Sequence, residues 1–122
     1  MIGIINYGLG NINAIYTVYK NLNISAEIIS EAKEFEKCDK FILPGVGAFD
    51  YAMEKLNKSG FKDVLNDKII NQKKDILGIC VGMQMLAYSS DEGTLPGLSW
   101  INAEIKKIDW NLEHSLTIPH MG

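Results

Sequence analysis

Short apolar runs separated by segments of helical period constrain this chain more than any other feature. Ile2-Gly3-Ile4-Ile5, Ala26-Glu27-Ile28-Ile29, Lys40-Phe41-Ile42-Leu43 and Ile76-Leu77-Gly78-Ile79 each read as a short strand of a sheet covered on both faces. Between the first two, Asn11 is placed to N-cap a helix in which Ile12, Ile15, Tyr16, Tyr19 and Leu22 recur at helical spacing. Lys33 to Lys37 is charged and reads as a short surface helix. Pro44-Gly45 stops the third run. Ala48 to Lys58 then sets Phe49, Ala52, Met53 and Leu56 on one side of a helix, and Phe61 to Gln72 repeats the pattern with Phe61, Val64, Leu65 and Ile69. Gly82 to Tyr88 opens another helix. Such alternation predicts an α/β fold, an open and mostly parallel sheet flanked by helices. Beyond Gly93 the character changes. Leu95-Pro96-Gly97-Leu98 is a turn, and Ala103 to Ile108 alternates like an exposed antiparallel strand. Repeats, low-complexity tracts and linkers are absent from the sequence.

A length of 122 residues suits one domain, and 47% hydrophobic residues supply a core that needs no staple. The formal charge of -3 and a pI near 5.3 speak against nucleic acid as the main partner, because phosphate binding wants a basic face. Lys73-Lys74 and Lys106-Lys107 are too short to form one and read as solvated surface. The N-terminus lacks a basic stretch followed by a long apolar one, so it reads as a strand and not as a signal peptide. Apolar runs fall short of the ~18 residues that a membrane span needs. With only Cys38 and Cys80 present, a reducing compartment, the cytoplasm, is expected. Cys38 reads as a small core or boundary residue.

In open parallel sheets ligands bind beyond the carboxyl ends of the strands. That directs attention to Tyr7 to Asn11, Pro44 to Phe49 and Gly78 to Met83. The last of these contains Gly78-Ile79-Cys80-Val81-Gly82, between an apolar strand and a helical stretch. It has the form of a nucleophile elbow, a sharp turn whose neighbours must be small so that strand and helix can approach. A cysteine there sits in strained backbone and at a helix N-terminus, where free amides and the macrodipole favour thiolate. The Val81 amide is placed to help stabilise an oxyanion. The competing reading is a structural cysteine between packing glycines.

The run Ile76 to Leu86, with Cys80 at its turn, resembles the nucleophile motif of class I glutamine amidotransferases. Asn6-Tyr7-Gly8-Leu9-Gly10-Asn11, Leu43-Pro44-Gly45-Val46-Gly47-Ala48-Phe49 and Ile118-Pro119-His120-Met121-Gly122 resemble segments of one subfamily, the glutaminase subunits of imidazole glycerol phosphate synthases. The resemblance spans the whole chain and implies a flavodoxin-like sheet. It implies that Cys80 attacks the side-chain amide of L-glutamine, forming a glutamyl thioester and releasing ammonia, and that water then yields glutamate. By the same resemblance, Val81 with Val46 and Gly47 forms the oxyanion hole, while Gly45, Gln84 and Glu92 contact the substrate, Glu92 through the α-amino group. Gln84 lies one helical turn after Cys80 and so faces the same site. Asp91-Glu92 also fits plain solvated surface, and Pro44 to Gly47 fits a plain turn as well as a loop whose peptide flips on activation. Pro119, His120, Met121 and Gly122 fall at the implied partner interface. Asn11 fits either an N-cap or that interface. The implied partner is a cyclase subunit with a (β/α)8 barrel that makes imidazole glycerol phosphate for histidine biosynthesis; no metal or organic cofactor is implied.

The pattern departs from the family in one respect. A thiolate nucleophile needs a base, which these enzymes carry in a His-x-Glu-like segment beyond the Pro-His-Met-Gly motif. Here the histidines are His114 and His120, and neither lies in such a segment. The 122 residues therefore read as the N-terminal part of a single amidotransferase domain, with the last strands and the base to follow and an open sheet edge between. Three other readings stay open: a paralogue that feeds ammonia to a surface-sugar synthase, a binding module without its triad, and an unrelated cysteine hydrolase.

Overall fold

The computed structural model describes residues 1–108. Four parallel strands form the main sheet: β1 (Ile2–Ile5), β2 (Ala26–Ile29), β3 (Lys40–Leu43) and β4 (Asp75–Gly78), in the order β2-β1-β3-β4. All four strands expected from the sequence are present, and the register sets Ile4 opposite Ile42 and Ile42 opposite Leu77. The connections are helical, as a parallel sheet requires. They are α1 (Ile12–Asn21), a 3₁₀ helix over Ala32–Lys37, α2 (Phe49–Ser59) and α3 (Lys62–Asn66), the last running into a π turn over Asp67–Asn71. The Asn11 side chain accepts from the Ala14 amide at 3.3 Å and so caps α1. The charged Lys33 to Lys37 segment is not purely a surface feature, since it buries Phe35 completely between Phe41 and Phe61.

Side chains alternate across the sheet, and its two faces differ. On one face Ile5, Ile29, Phe41 and Leu43 meet Phe49, Ala52, Met53, Leu56, Phe61 and Leu65, all buried. Burying one such side chain contributes about 1.5–3 kcal/mol, so this layer holds α2 and α3 in place. Among the described residues the other face carries α1, which buries none of its residues fully. A shallow apolar groove there is lined by Ile15, Val18, Tyr19, Leu22, Ile42 and Ile79. Leu77 and Ile79 remain 55% and 37% exposed, and among the described residues β4 has β3 as its only neighbour. Among the described residues β4 is thus an edge of the sheet.

Two expectations need correction. The helix after Cys80, α4, covers only Val81–Gln84 and does not reach Tyr88. The following carbonyls are taken from outside: Met85 accepts from the Leu98 amide at 2.8 Å, Leu86 from Ile101 at 3.0 Å and Tyr88 from Gly97 at 3.0 Å. The helix stops because the amides leave the i−4 pattern: Leu86 donates to Met83 at 3.2 Å, Ala87 to Gln84 at 3.1 Å, and Tyr88 to the Ala103 carbonyl at 3.0 Å. The segment read as an antiparallel strand supplies instead a two-residue strand, β6 (Glu104–Ile105), paired in parallel with β5 (Ser89–Ser90). The reason is the connection: residues 91–103 cross over before returning, where an antiparallel partner would need only a tight hairpin. No helix among the described residues is long and apolar enough to cross a membrane.

Candidate active site

The carboxyl ends of β1, β3 and β4 converge on the turn that carries Cys80. This residue has φ 58° and ψ -124°, a region that non-glycine residues rarely enter, and its side chain is exposed. Such strain persists only where the surroundings impose it. Here they do so from several sides. The Ile79 amide donates to the Leu43 carbonyl at 3.0 Å, fastening the turn to the end of β3. The Gly82 amide donates to the Ile79 carbonyl at 2.9 Å, and the Met83 amide to the Cys80 carbonyl at 3.0 Å.

The flanking glycines permit a close approach that no side chain would allow. A Cβ on Gly82 would overlap the Leu43 carbonyl, and one on Gly78 would stand 2.7 Å from the Met83 nitrogen. On the facing loop, a Cβ on Gly45 would lie 2.8 Å from the Gly82 nitrogen and 2.8 Å from the Tyr7 hydroxyl. The turn after β3 and the turn after β4 are therefore in backbone contact. That brings Gly45, Val81 and Gly82 together, with Val46 and Gly47 next along the chain.

Gly45 is buried, whereas Val46 and Gly47 are exposed. Gly47 has φ 86° with nothing near the position of a Cβ, so its peptide has room to rotate. Gln84 is half-buried on α4, one turn from Cys80, and its amide reaches the Cys80 carbonyl at 3.4 Å. The expected macrodipole is reduced to that of a single turn. Cys38, the other free cysteine, is buried, and burial with Glu27 nearby pushes its thiol up.

Glu92 is exposed and lies in the loop after β5, its amide donating to the Ser90 Oγ at 3.2 Å. That loop is held by a residue which sequence reasoning passed over. Asp50, in the first turn of α2, accepts from the Thr94 amide at 2.9 Å, the Thr94 hydroxyl at 3.1 Å and the Leu95 amide at 2.9 Å. Those backbone bonds hold its carboxyl below the usual range. Tyr7 stands at the start of the loop after β1. Its hydroxyl donates to the Pro44 carbonyl at 2.6 Å and lies 3.4 Å from the Met85 sulfur. Burial pushes the phenol up. Neither role has a sequence signal: an acidic residue near a helix start reads as a match to the dipole, and a tyrosine after a strand reads as core. His114, Pro119, His120, Met121 and Gly122 lie outside the described residues.

A strained, exposed thiol at a strand-to-helix turn in a parallel α/β sheet has the form of a nucleophile elbow. A crystal structure of a glutamine amidotransferase superposes with a TM-score of 0.71 at 20% identity, over 86% of this chain and 55% of that one. The chain belongs to the SNO glutamine amidotransferase family, whose model matches residues 10–111. It is 51% identical over 123 residues to the imidazole glycerol phosphate synthase subunit HisH of Leptospira borgpetersenii and 48% identical to that of Leptospira interrogans. The corresponding subunit of Bdellovibrio bacteriovorus is 48% identical over 124 residues. In each case all of this chain aligns, spanning 60% of the relative's length.

Proposed function

We propose that this chain carries the nucleophile side of a glutaminase site, in which Cys80 forms a thioester with the side-chain carbonyl of L-glutamine. The observation that carries the reading is the backbone of Cys80, at φ 58°, clamped between the ends of β3 and β4 with its thiol exposed. In the reaction the sulfur adds to the amide carbon, the C–N bond breaks and ammonia leaves with a transferred proton; water then cleaves the thioester to glutamate. Negative charge on the carbonyl oxygen falls to the Val81 amide and to an amide of the Val46-Gly47 peptide after rotation at Gly47. Gln84 and Gly45 line the glutamine, and Glu92 meets its α-ammonium group. The described residues include no histidine, so the base comes from another part of the protein, the His-x-Glu-like segment of the family.

The curated relatives are named as synthase subunits, which supports a second subunit that consumes the ammonia. We assign that role to a (β/α)8-barrel cyclase in histidine biosynthesis, facing Asn11 and Pro119 to Gly122. The test is mass spectrometry of the full-length protein after treatment with a diazoketone analogue of glutamine. A single adduct at Cys80, blocked by glutamine and lost in Cys80→Ser, is expected. Labelling elsewhere, or labelling that glutamine does not slow, would overturn the assignment.

A further inference from the structure

We propose that Asp50 is a positioning residue for glutamine recognition, its carboxylate fixing the Gly93 to Leu95 loop and so setting where Glu92 presents its charge. The inference rests on the reading of Glu92 as the contact for the substrate's α-ammonium group. A loop that offers a carboxylate to an ammonium loses affinity when that carboxylate wanders, because solvated conformers compete with the bound one. The loop from Asp91 to Leu95 has little apolar material of its own to hold it. Its first half is tied locally, the Asp91 amide to Ile105 and the Glu92 and Gly93 amides to Ser90; its second half is held by Asp50. Both carboxylate oxygens are engaged, Oδ1 by the Leu95 amide at 2.9 Å and Oδ2 by the Thr94 amide at 2.9 Å and the Thr94 hydroxyl at 3.1 Å. Bonds to an ionised acceptor are the strong kind, and a fork of them fixes direction as well as distance.

The fit is close. Gly93 lies against this carboxylate with no room for a Cβ. The latch begins two residues beyond Glu92. At its other end Asp50 is the second residue of α2, which starts directly after Gly47 and Ala48. One side chain thus joins the loop just beyond Glu92 to the helix that follows Val46 and Gly47.

The test is steady-state glutaminase kinetics of the full-length enzyme with its partner subunit. The variants are Asp50→Ala, Asp50→Asn, Glu92→Gln and the double variant Asp50→Ala/Glu92→Gln. Asp50→Ala is expected to raise KM for glutamine about tenfold with kcat changed less than about twofold. Asp50→Asn keeps one acceptor oxygen and is expected to fall between wild type and alanine. Once Glu92 is neutralised, the alanine change at Asp50 should add nothing further to KM, the signature of two residues acting as one unit. Iodoacetamide, which lacks the α-amino group, should alkylate Cys80 at the wild-type rate in every variant, and this reports that the turn is folded. A raised KM in Glu92→Gln but not in Asp50→Ala overturns the positioning role while leaving the reading of Glu92 intact. An unchanged KM in Glu92→Gln removes that reading and the proposal with it. A slowed iodoacetamide reaction in Asp50→Ala would assign Asp50 to the structure of the turn and overturn the proposal.

Discussion

The Tyr7 hydroxyl donates to the Pro44 carbonyl across 2.6 Å, tying the exit of β1 to the loop that follows β3. The bond lies inside the protein, behind Gly45, where water does not replace it. Tyr7→Phe keeps the ring and leaves the Pro44 carbonyl without this donor. The loss is expected to be about 1–3 kcal/mol of stability, the range for a buried acceptor left unpaired. Urea denaturation followed by circular dichroism measures it. The same variant should slow modification of Cys80 by the diazoketone, because the Pro44 to Gly47 loop loses its brace.

Relief of strain at Cys80 gives a second expectation. At φ 58° a glycine is at ease and an alanine is not. Cys80→Gly should therefore be more stable than Cys80→Ala by about 1 kcal/mol, although glycine is the more flexible residue in the unfolded chain. Equal stability of the two variants in chemical denaturation would mean that the turn is not strained.

Gly82 is expected to tolerate no side chain. The methyl of Gly82→Ala would collide with the Leu43 carbonyl, which already accepts from Ile79. Forcing the turns apart should cost about 1–3 kcal/mol, as overpacking does. Gly47→Ala meets no neighbour, yet it is strained by its φ of 86° and should act mainly on glutamine turnover. Comparing melting temperature with glutaminase rate for both variants separates packing from catalysis.

The ion pair between Lys68 and Glu36 offers a contrast in stability. The Lys68 side chain is 4% exposed and its ammonium lies 2.9 Å from Glu36. Glu36→Ala leaves a buried cation without this partner and should destabilise by roughly 1–3 kcal/mol, whereas Lys68→Met should be close to neutral. A Glu36→Ala protein as stable as wild type in urea would show that water reaches the ammonium.

Alkaline pH should weaken the fold through Cys38. Burial, followed by the charge of Glu27, raises its thiol pKa in the folded protein. Below the ordinary thiol value both states are protonated and nothing changes. As pH climbs past that value, the unfolded chain loses the proton first, so stability falls until the folded thiol titrates as well. Cys38→Ala should flatten this part of the stability curve, and urea midpoints taken across pH 7 to about 10 would reveal it. At neutral pH a thiol reagent should reach Cys80 long before Cys38.

A polypeptide of these 122 residues alone holds His114 and His120 and no His-x-Glu pair. It is expected to release ammonia from glutamine at a negligible rate, because the thiolate and the leaving amine lack their proton carrier. Sustained release in an enzyme-coupled ammonia assay would show that another base serves Cys80.

Local signals by themselves determined the α/β architecture. The apolar runs and the helical period of Ile12 to Leu22 and Phe49 to Leu56 fixed the strands and the connecting helices, because both patterns follow from backbone geometry within a few residues. Cys80 between Gly78 and Gly82 was legible for the same reason: a strained turn imposes small neighbours in the chain itself. Only the tertiary structure decided what depends on contacts between distant segments. The length of α4 was set in part by Ala103, whose carbonyl takes the Tyr88 amide that a longer helix would have pointed at Gln84. The parallel sense of β6 was set by its crossover from Ser90. Asp50 and Tyr7 took their places because Thr94 and Pro44, 44 and 37 residues away, supply the other ends of their hydrogen bonds.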